Sequence, residues 1–138
     1  GKECKKYALE NKMKNKTDNV EVIQGDVRKV LPKMKEKFDR IVMARPNLKD
    51  SFLDVSLARA KRGAIVHYYG FYHEDAVEEM KSMIEISAKK AKKKLKILKV
   101  KKAGDIGLRK YRFRVDLKML KSKFTFILVL KKILTFVL

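Results

Sequence analysis

Residues 38–71, FDRIVMARPNLKDSFLDVSLARAKRGAIVHYYGF, decide the fold. Phe38 to Ala44 is a short apolar run rich in Ile and Val, too brief for a helix and suited to a strand covered on both faces. It stops at Arg45-Pro46-Asn47, because proline cannot donate to a ladder and restricts the residue before it. Asn47 with Asp50 three residues on makes a helix-opening pair, Leu48, Phe52 and Val55 follow at helical spacing, and Gly63 predicts the helix end. A second buried run, Ala64 to Tyr69, then predicts a parallel partner strand. Ligands of open α/β sheets sit outside the carboxyl ends of strands, which points to Ala44 to Asn47 and to Tyr68 to Phe71.

Working outward, residues 3–15 read as a helix and Val20 to Gln24 as a short strand ending in Gly25-Asp26-Val27-Arg28. A glycine and an acid at the carboxyl end of a strand is how nucleotide folds present a carboxylate to adenosine, and Asp26 is equally placed to cap a helix over Val27 to Met34. Beyond the central unit, acids at Glu74 and Asp75 suit a helix start. Ala76, Met80, Met83, Ile84, Ala88 and Ala91 then form one apolar stripe. Leu95 to Val100 reads as a strand near an edge and residues 103–107 as a turn. Tyr111, Phe113, Val115 and Leu117 alternate with Arg112, Arg114, Asp116 and Lys118, the period of a strand that closes an antiparallel hairpin. This order predicts an α/β fold, mostly parallel, with helices on both faces.

The chain has 138 residues, enough for one domain, and its charge of +20 is lopsided. Residues 1–85 hold 18 basic and 14 acidic groups, whereas residues 86–138 hold 18 basic and two acidic. Lys89 to Lys102 alone carries nine lysines in 14 residues. Nucleic acid is the simplest partner for such a half; a lysine-biased proteome is the plainer account. One cysteine, Cys4, excludes an internal disulfide and a cysteine-based zinc cluster, and points to a reducing, cytoplasmic setting. No metal site is expected. The apolar runs in 121–138 are too short to span a bilayer, which takes about 20 residues, so the tail predicts no membrane-spanning segment; an interfacial helix is the weaker reading, and an extra strand or helix on an uncovered sheet surface, or an accidental extension, the stronger. The chain opens on Gly1 and runs at once into helical sequence, which predicts a piece of something longer.

GDVRKVLP, KFDRIVM, the proline loop with SFLDVSL behind it, GAIVHYYGF and RKYRFRVDL occur in that order at these spacings. Together they resemble the carboxyl half of the archaeal and eukaryotic tRNA (guanine-37-N1)-methyltransferases, a group that includes the wybutosine-pathway aminocarboxypropyl transferases. The resemblance covers residues 1–120 and leaves 121–138 as a tail outside it. It implies a partial class I methyltransferase (Rossmann-like) sheet with a C-terminal antiparallel hairpin, lacking the first two strands of the order 3-2-1-4-5-7-6. It further implies S-adenosylmethionine as cofactor and tRNA as partner, together with the amino-terminal half of the enzyme. On this reading Asp26 and Val27 approach the adenine, and Ala44, Arg45, Pro46 and Asn47 form the target-base loop. That loop is usually Asn-Leu-Pro in the family, so Ala44 departs from its pattern.

The family's glycine-rich turn and the arginine and glutamate it uses around guanine N1 would lie upstream, so no catalytic base is assigned and the isolated chain is expected to be inactive. His67 and His73 are expected to be structural. Arg45, Arg109, Lys110 and Arg112 are candidates for RNA contact because they fall near strand carboxyl ends or on the hairpin. Three readings follow: a part of an enzyme methylating N1 of guanine 37, an aminocarboxypropyl transferase with the same cofactor, or a non-catalytic basic RNA-binding module.

Overall fold

The computed structural model describes residues 2–44, 52–120 and 133–136. Two compact units divide the chain near Met34. In the first, α1 spans Lys2–Lys14 and buries no residue. Residues 20–24 are not a strand, contrary to their composition. Val20 and Ile23 are exposed, and no described strand offers them a ladder, so their backbone has nothing to pair with. The short helix α2, Val27–Val30, follows and tightens into a 3-10 turn over Leu31–Lys33.

The second unit is a five-stranded sheet with two helices. Strand β1 is Phe38–Met43, α3 is Leu53–Ala58, β2 is Ala60–His73, α4 is Val77–Lys90, β3 is Leu95–Gly107, β4 is Lys110–Met119 and β5 is Ile133–Phe136. Their order across the sheet is β3-β4-β2-β1-β5. Strand β1 runs parallel to β2 on one side and to β5 on the other, while β4 is antiparallel to both β2 and β3. Four strands therefore follow the 4-5-7-6 part of the class I order, and β5 lies beside strand 4.

Helices α3 and α4 touch each other and both touch β2, so they share one face of the sheet. Topology accounts for this: β1 to β2 and β2 to β3 both step in the same direction, and right-handed crossovers then fall on the same side. That side is the core. Ile41 and Met43 of β1, Val66 and Tyr68 of β2, and Phe113, Val115 and Leu117 of β4 meet Leu53 and Leu57 of α3 and Met80 and Ile84 of α4, all buried. Each fully buried side chain of this size contributes about 1.5–3 kcal/mol. The methionine stripe read from the sequence is therefore packing.

Three boundaries move. Helix α3 starts at Leu53 rather than Leu48, with the described chain resuming at Phe52; Asn47 and its expected cap lie outside the described residues. Gly63 does not close the helix, which ends at Ala58. It sits inside β2 at φ +72°, where the register jumps from Phe38 opposite Ala60 to Arg40 opposite Ile65. A residue without Cβ takes that left-handed kink at little cost. The expected turn over residues 103–107 is strand; the reversal is Leu108-Arg109, with Arg109 at φ +52°.

Candidate functional site

The sheet's register brings Ala44, where the first stretch marked in the sequence begins, and the second stretch, Tyr68 to Phe71, to one end of the parallel core. Met43, the last residue of β1, pairs with Tyr68, so Ala44 leaves the sheet beside the Tyr68-Tyr69 segment. Strand β2 continues to His73, and β4 enters from the same end with Lys110 opposite His73 and Arg112 opposite Phe71. The carboxyl ends of β1 and β2 and the amino end of β4 are thus neighbours. Ala44 is exposed there; Arg45, Pro46 and Asn47 lie outside the described residues.

At this end Tyr68 and Tyr72 join hydroxyl to hydroxyl at 3.2 Å, across Gly70. All three share the core face by alternation. A Cβ on Gly70 would run into the Tyr72 ring and come within 3.0 Å of the Tyr68 hydroxyl. Glycine is what lets the two phenols meet. Burial raises the pKa of Tyr68 well above the ordinary phenol range, with the Tyr72 hydroxyl adding to it. It therefore stays a neutral donor and acceptor. The spacing Tyr68, Gly70, Tyr72 was visible as a period-two pattern, but only the structure shows that the pair is closed.

The hairpin arginines are already engaged. Arg109 donates Nε to Glu74 at 2.7 Å and Nη2 to Asp75 at 2.9 Å, and the Arg109 bond holds Glu74 below the usual carboxylate range. The two acids read as helix-dipole partners thus also tether the β3–β4 turn. Lys102 reaches the same Glu74 at 3.4 Å and lies 3.7 Å over the Tyr111 ring. Arg112 folds both Nε and Nη2 onto the Ala103 carbonyl. Lys110 is exposed beside them.

On the opposite sheet face, His67 Nδ1 meets Asp116 Oδ1 at 2.7 Å, and Arg114 grips both oxygens of Asp116 at 2.8 and 2.9 Å. Arg114, then His67, push the Asp116 pKa down to about 2 against the cost of burial. His67 is a member of a satisfied network, and His73 Nδ1 sits 3.2 Å from Asp75. In the first unit, Asp26 caps α2 by accepting from the Arg28 N–H at 3.0 Å, and Val27 is buried in the first turn. Among the described residues no His, Cys, Asp and Glu side chains gather as metal ligands would, and no described helix is long and apolar enough to cross a membrane.

A strand order of 4-5-7-6 defines part of a class I methyltransferase sheet. The TRM5/TYW2 methyltransferase domain matches residues 2–98, and the chain belongs to that family. It is 37% identical over 83 residues, 59% of its own length, to the tRNA (guanine(37)-N(1))/4-demethylwyosine(37)-methyltransferase Taw22 of Nanoarchaeum equitans. Trm5b of Pyrococcus abyssi superposes with a TM-score of 0.74 at 30% identity over 84% of the chain. TYW2 of M. jannaschii, solved with AdoMet, gives 0.72 at 25% over 84%. The chain spans 27%, 34% and 52% of these three relatives respectively.

Proposed function

We propose that the chain forms part of a tRNA methyltransferase that moves a methyl group from S-adenosylmethionine to N1 of guanine 37. The observation that carries this reading is the pairing of Met43 with Tyr68, because it sets Ala44, where the proposed target-base loop would begin, against the carboxyl end of the next parallel strand. Two relatives support the chemistry: the P. abyssi protein is named a tRNA (guanine(37)-N(1))-methyltransferase, and the M. jannaschii one was solved with AdoMet. Asp26 is exposed, and with Oδ1 turned to its helix it suits the exocyclic amine of adenine, while the Val27 backbone would line the ring. The cofactor supplies the electrophilic methyl. This chain's residues would bind and orient: Asp26 and Val27 the adenosine, Ala44 to Asn47 the target base, and Arg45, Arg109, Lys110 and Arg112 the RNA.

A second reading has its own support, since TYW2 superposes almost as well as Trm5b. It would transfer an aminocarboxypropyl group from the same cofactor. Nucleoside mass spectrometry of tRNA incubated with the complete gene product and labelled S-adenosylmethionine separates them. Label in 1-methylguanosine is the expected result, label in an aminocarboxypropyl base favours the second reading, and neither product removes both.

A further inference from the structure

The sheet face turned away from α3 and α4 has a composition that packing does not explain. Cross-strand register lays out its rows. Ile65, Lys118 and Lys96 form one row across β2, β4 and β3; His67, Asp116 and Lys99 form the next; Tyr69, Arg114 and Lys101 form a third. Phe71 and Arg112 pair in a fourth. Successive rows on one face are two residues apart, about 6.8 Å. Lys96, Lys99, Lys101 and Lys118 are exposed. Asp116, the single carboxylate in these rows, is spent on Arg114 and His67.

Like charges directly opposite one another destabilise a sheet, and here Lys96 faces Lys118 and Lys101 faces Arg114. The crowding is felt: the neighbouring Lys99 amine is the main reason that Lys101 sits below the ordinary lysine range. A solvated edge strand needs scattered charge, not a same-sign lattice that continues onto the central strand β4. Tyr69 and Phe71, half-buried on β2, set flat aromatic surfaces beside the cations. Basic rows with interleaved aromatics are the chemistry that grips a phosphodiester chain and stacks its bases.

We propose that this face is a docking surface for RNA, with Lys96, Lys99, Lys101 and Lys118 on phosphates and Tyr69 and Phe71 against bases. The inference rests on the tRNA reading above and adds a contact surface on the sheet's second face.

The test is fluorescence anisotropy of labelled tRNA with the protein over a salt series. Lys99→Gln, Lys101→Gln and Lys118→Gln combined are set against Lys5→Gln, Lys6→Gln and Lys14→Gln on α1, with thermal melting to confirm that both fold. The face variant should lower the slope of log affinity on log salt by about 2–3 and weaken binding at least tenfold, whereas the α1 variant should change affinity by under about threefold. Tyr69→Leu should weaken a single-stranded oligonucleotide at least about fivefold. Equal losses from both triple variants would mean diffuse charge and overturn the proposal. Unchanged binding by the face variant would overturn it alone, and no tRNA binding at any salt would sink it together with the tRNA substrate.

Discussion

Residues 20–24, VEVIQ, and residues 38–43, FDRIVM, carry the same kind of side chains: β-branched and apolar, with a charge near the start. The first forms no strand, with Val20 and Ile23 exposed. The second is β1, flanked by β2 and β5, with Ile41 fully buried. What separates them is company. A strand's free energy lies in ladder bonds and cross-strand packing rather than in the propensity of its residues. In the class I order two strands stand between these positions, and among the described residues neither is there to receive residues 20–24.

The largest expected effect tests that contrast directly. Ile41→Ala removes a side chain with no exposure, and should cost about 2–5 kcal/mol in denaturant unfolding. Ile23→Ala, at 46% exposure, should stay within about 0.5 kcal/mol. Amide exchange adds a second reading: residues 38–43 should be protected and residues 20–24 should exchange rapidly. Similar costs from both substitutions would show that residues 20–24 are packed in solution.

Next comes the neighbour that completes β1. Ile133–Phe136 pairs in parallel with Arg40–Met43, so β1 is a central strand only while the tail is present. Truncation after Leu120 should leave β1 as an exposed apolar edge and promote self-association, measured by light scattering at matched concentration. A truncated chain that is more soluble than the parent would mean that β5 contributes nothing to the sheet.

How much of this could be read beforehand follows from the same distinction. Strands β1, β2 and β4, the helix α4 and the closing hairpin were legible because local period and turn residues agree with their tertiary neighbours. The β3–β4 turn was misplaced because Ala103-Gly104-Asp105 has turn composition, yet lies in a bulged strand whose register shifts twice after Lys102. Asp26 was legible as a cap and as a cofactor ligand, and the structure shows the cap. Engagement of Arg109 with Glu74 and Asp75 was hidden, since it joins residues some 35 positions apart in the chain. The same holds for His67 with Asp116, 49 apart.

That last pair supplies a pH test on the sheet's second face. Asp116 has its pKa lowered from 3.8 to about 2, so in the folded state it holds its charge at a pH where the unfolded chain takes up a proton. The associated stability is present above about pH 4 and is lost as pH falls towards 2. Asp116→Asn should cost about 1 kcal/mol at neutral pH, allowing for screening on the exposed Arg114 side, and should flatten the stability profile between pH 4 and 2. An unchanged slope in that window would assign the acid sensitivity to other carboxylates.

A last contrast concerns the kink that lets β2 start opposite Phe38 and still deliver Tyr68 opposite Met43. Gly63 adopts φ +72°, and a Cβ there would meet nothing within 4 Å. Gly63→Ala therefore carries only the backbone cost of a left-handed residue, about 1–2 kcal/mol, with no steric clash to add to it. Gly70→Ala offers the complementary case, because its φ needs no glycine while its Cβ would strike the Tyr72 ring. The first substitution should lower stability and leave the Tyr68–Tyr72 contact intact; the second should part the two hydroxyls with a smaller loss, since an aromatic ring at the end of a side chain can swing aside. Tyrosine ring chemical shifts in the two variants report the difference, and a shift of Tyr72 in Gly63→Ala as large as in Gly70→Ala would show that the bulge and the phenol pair move as one unit.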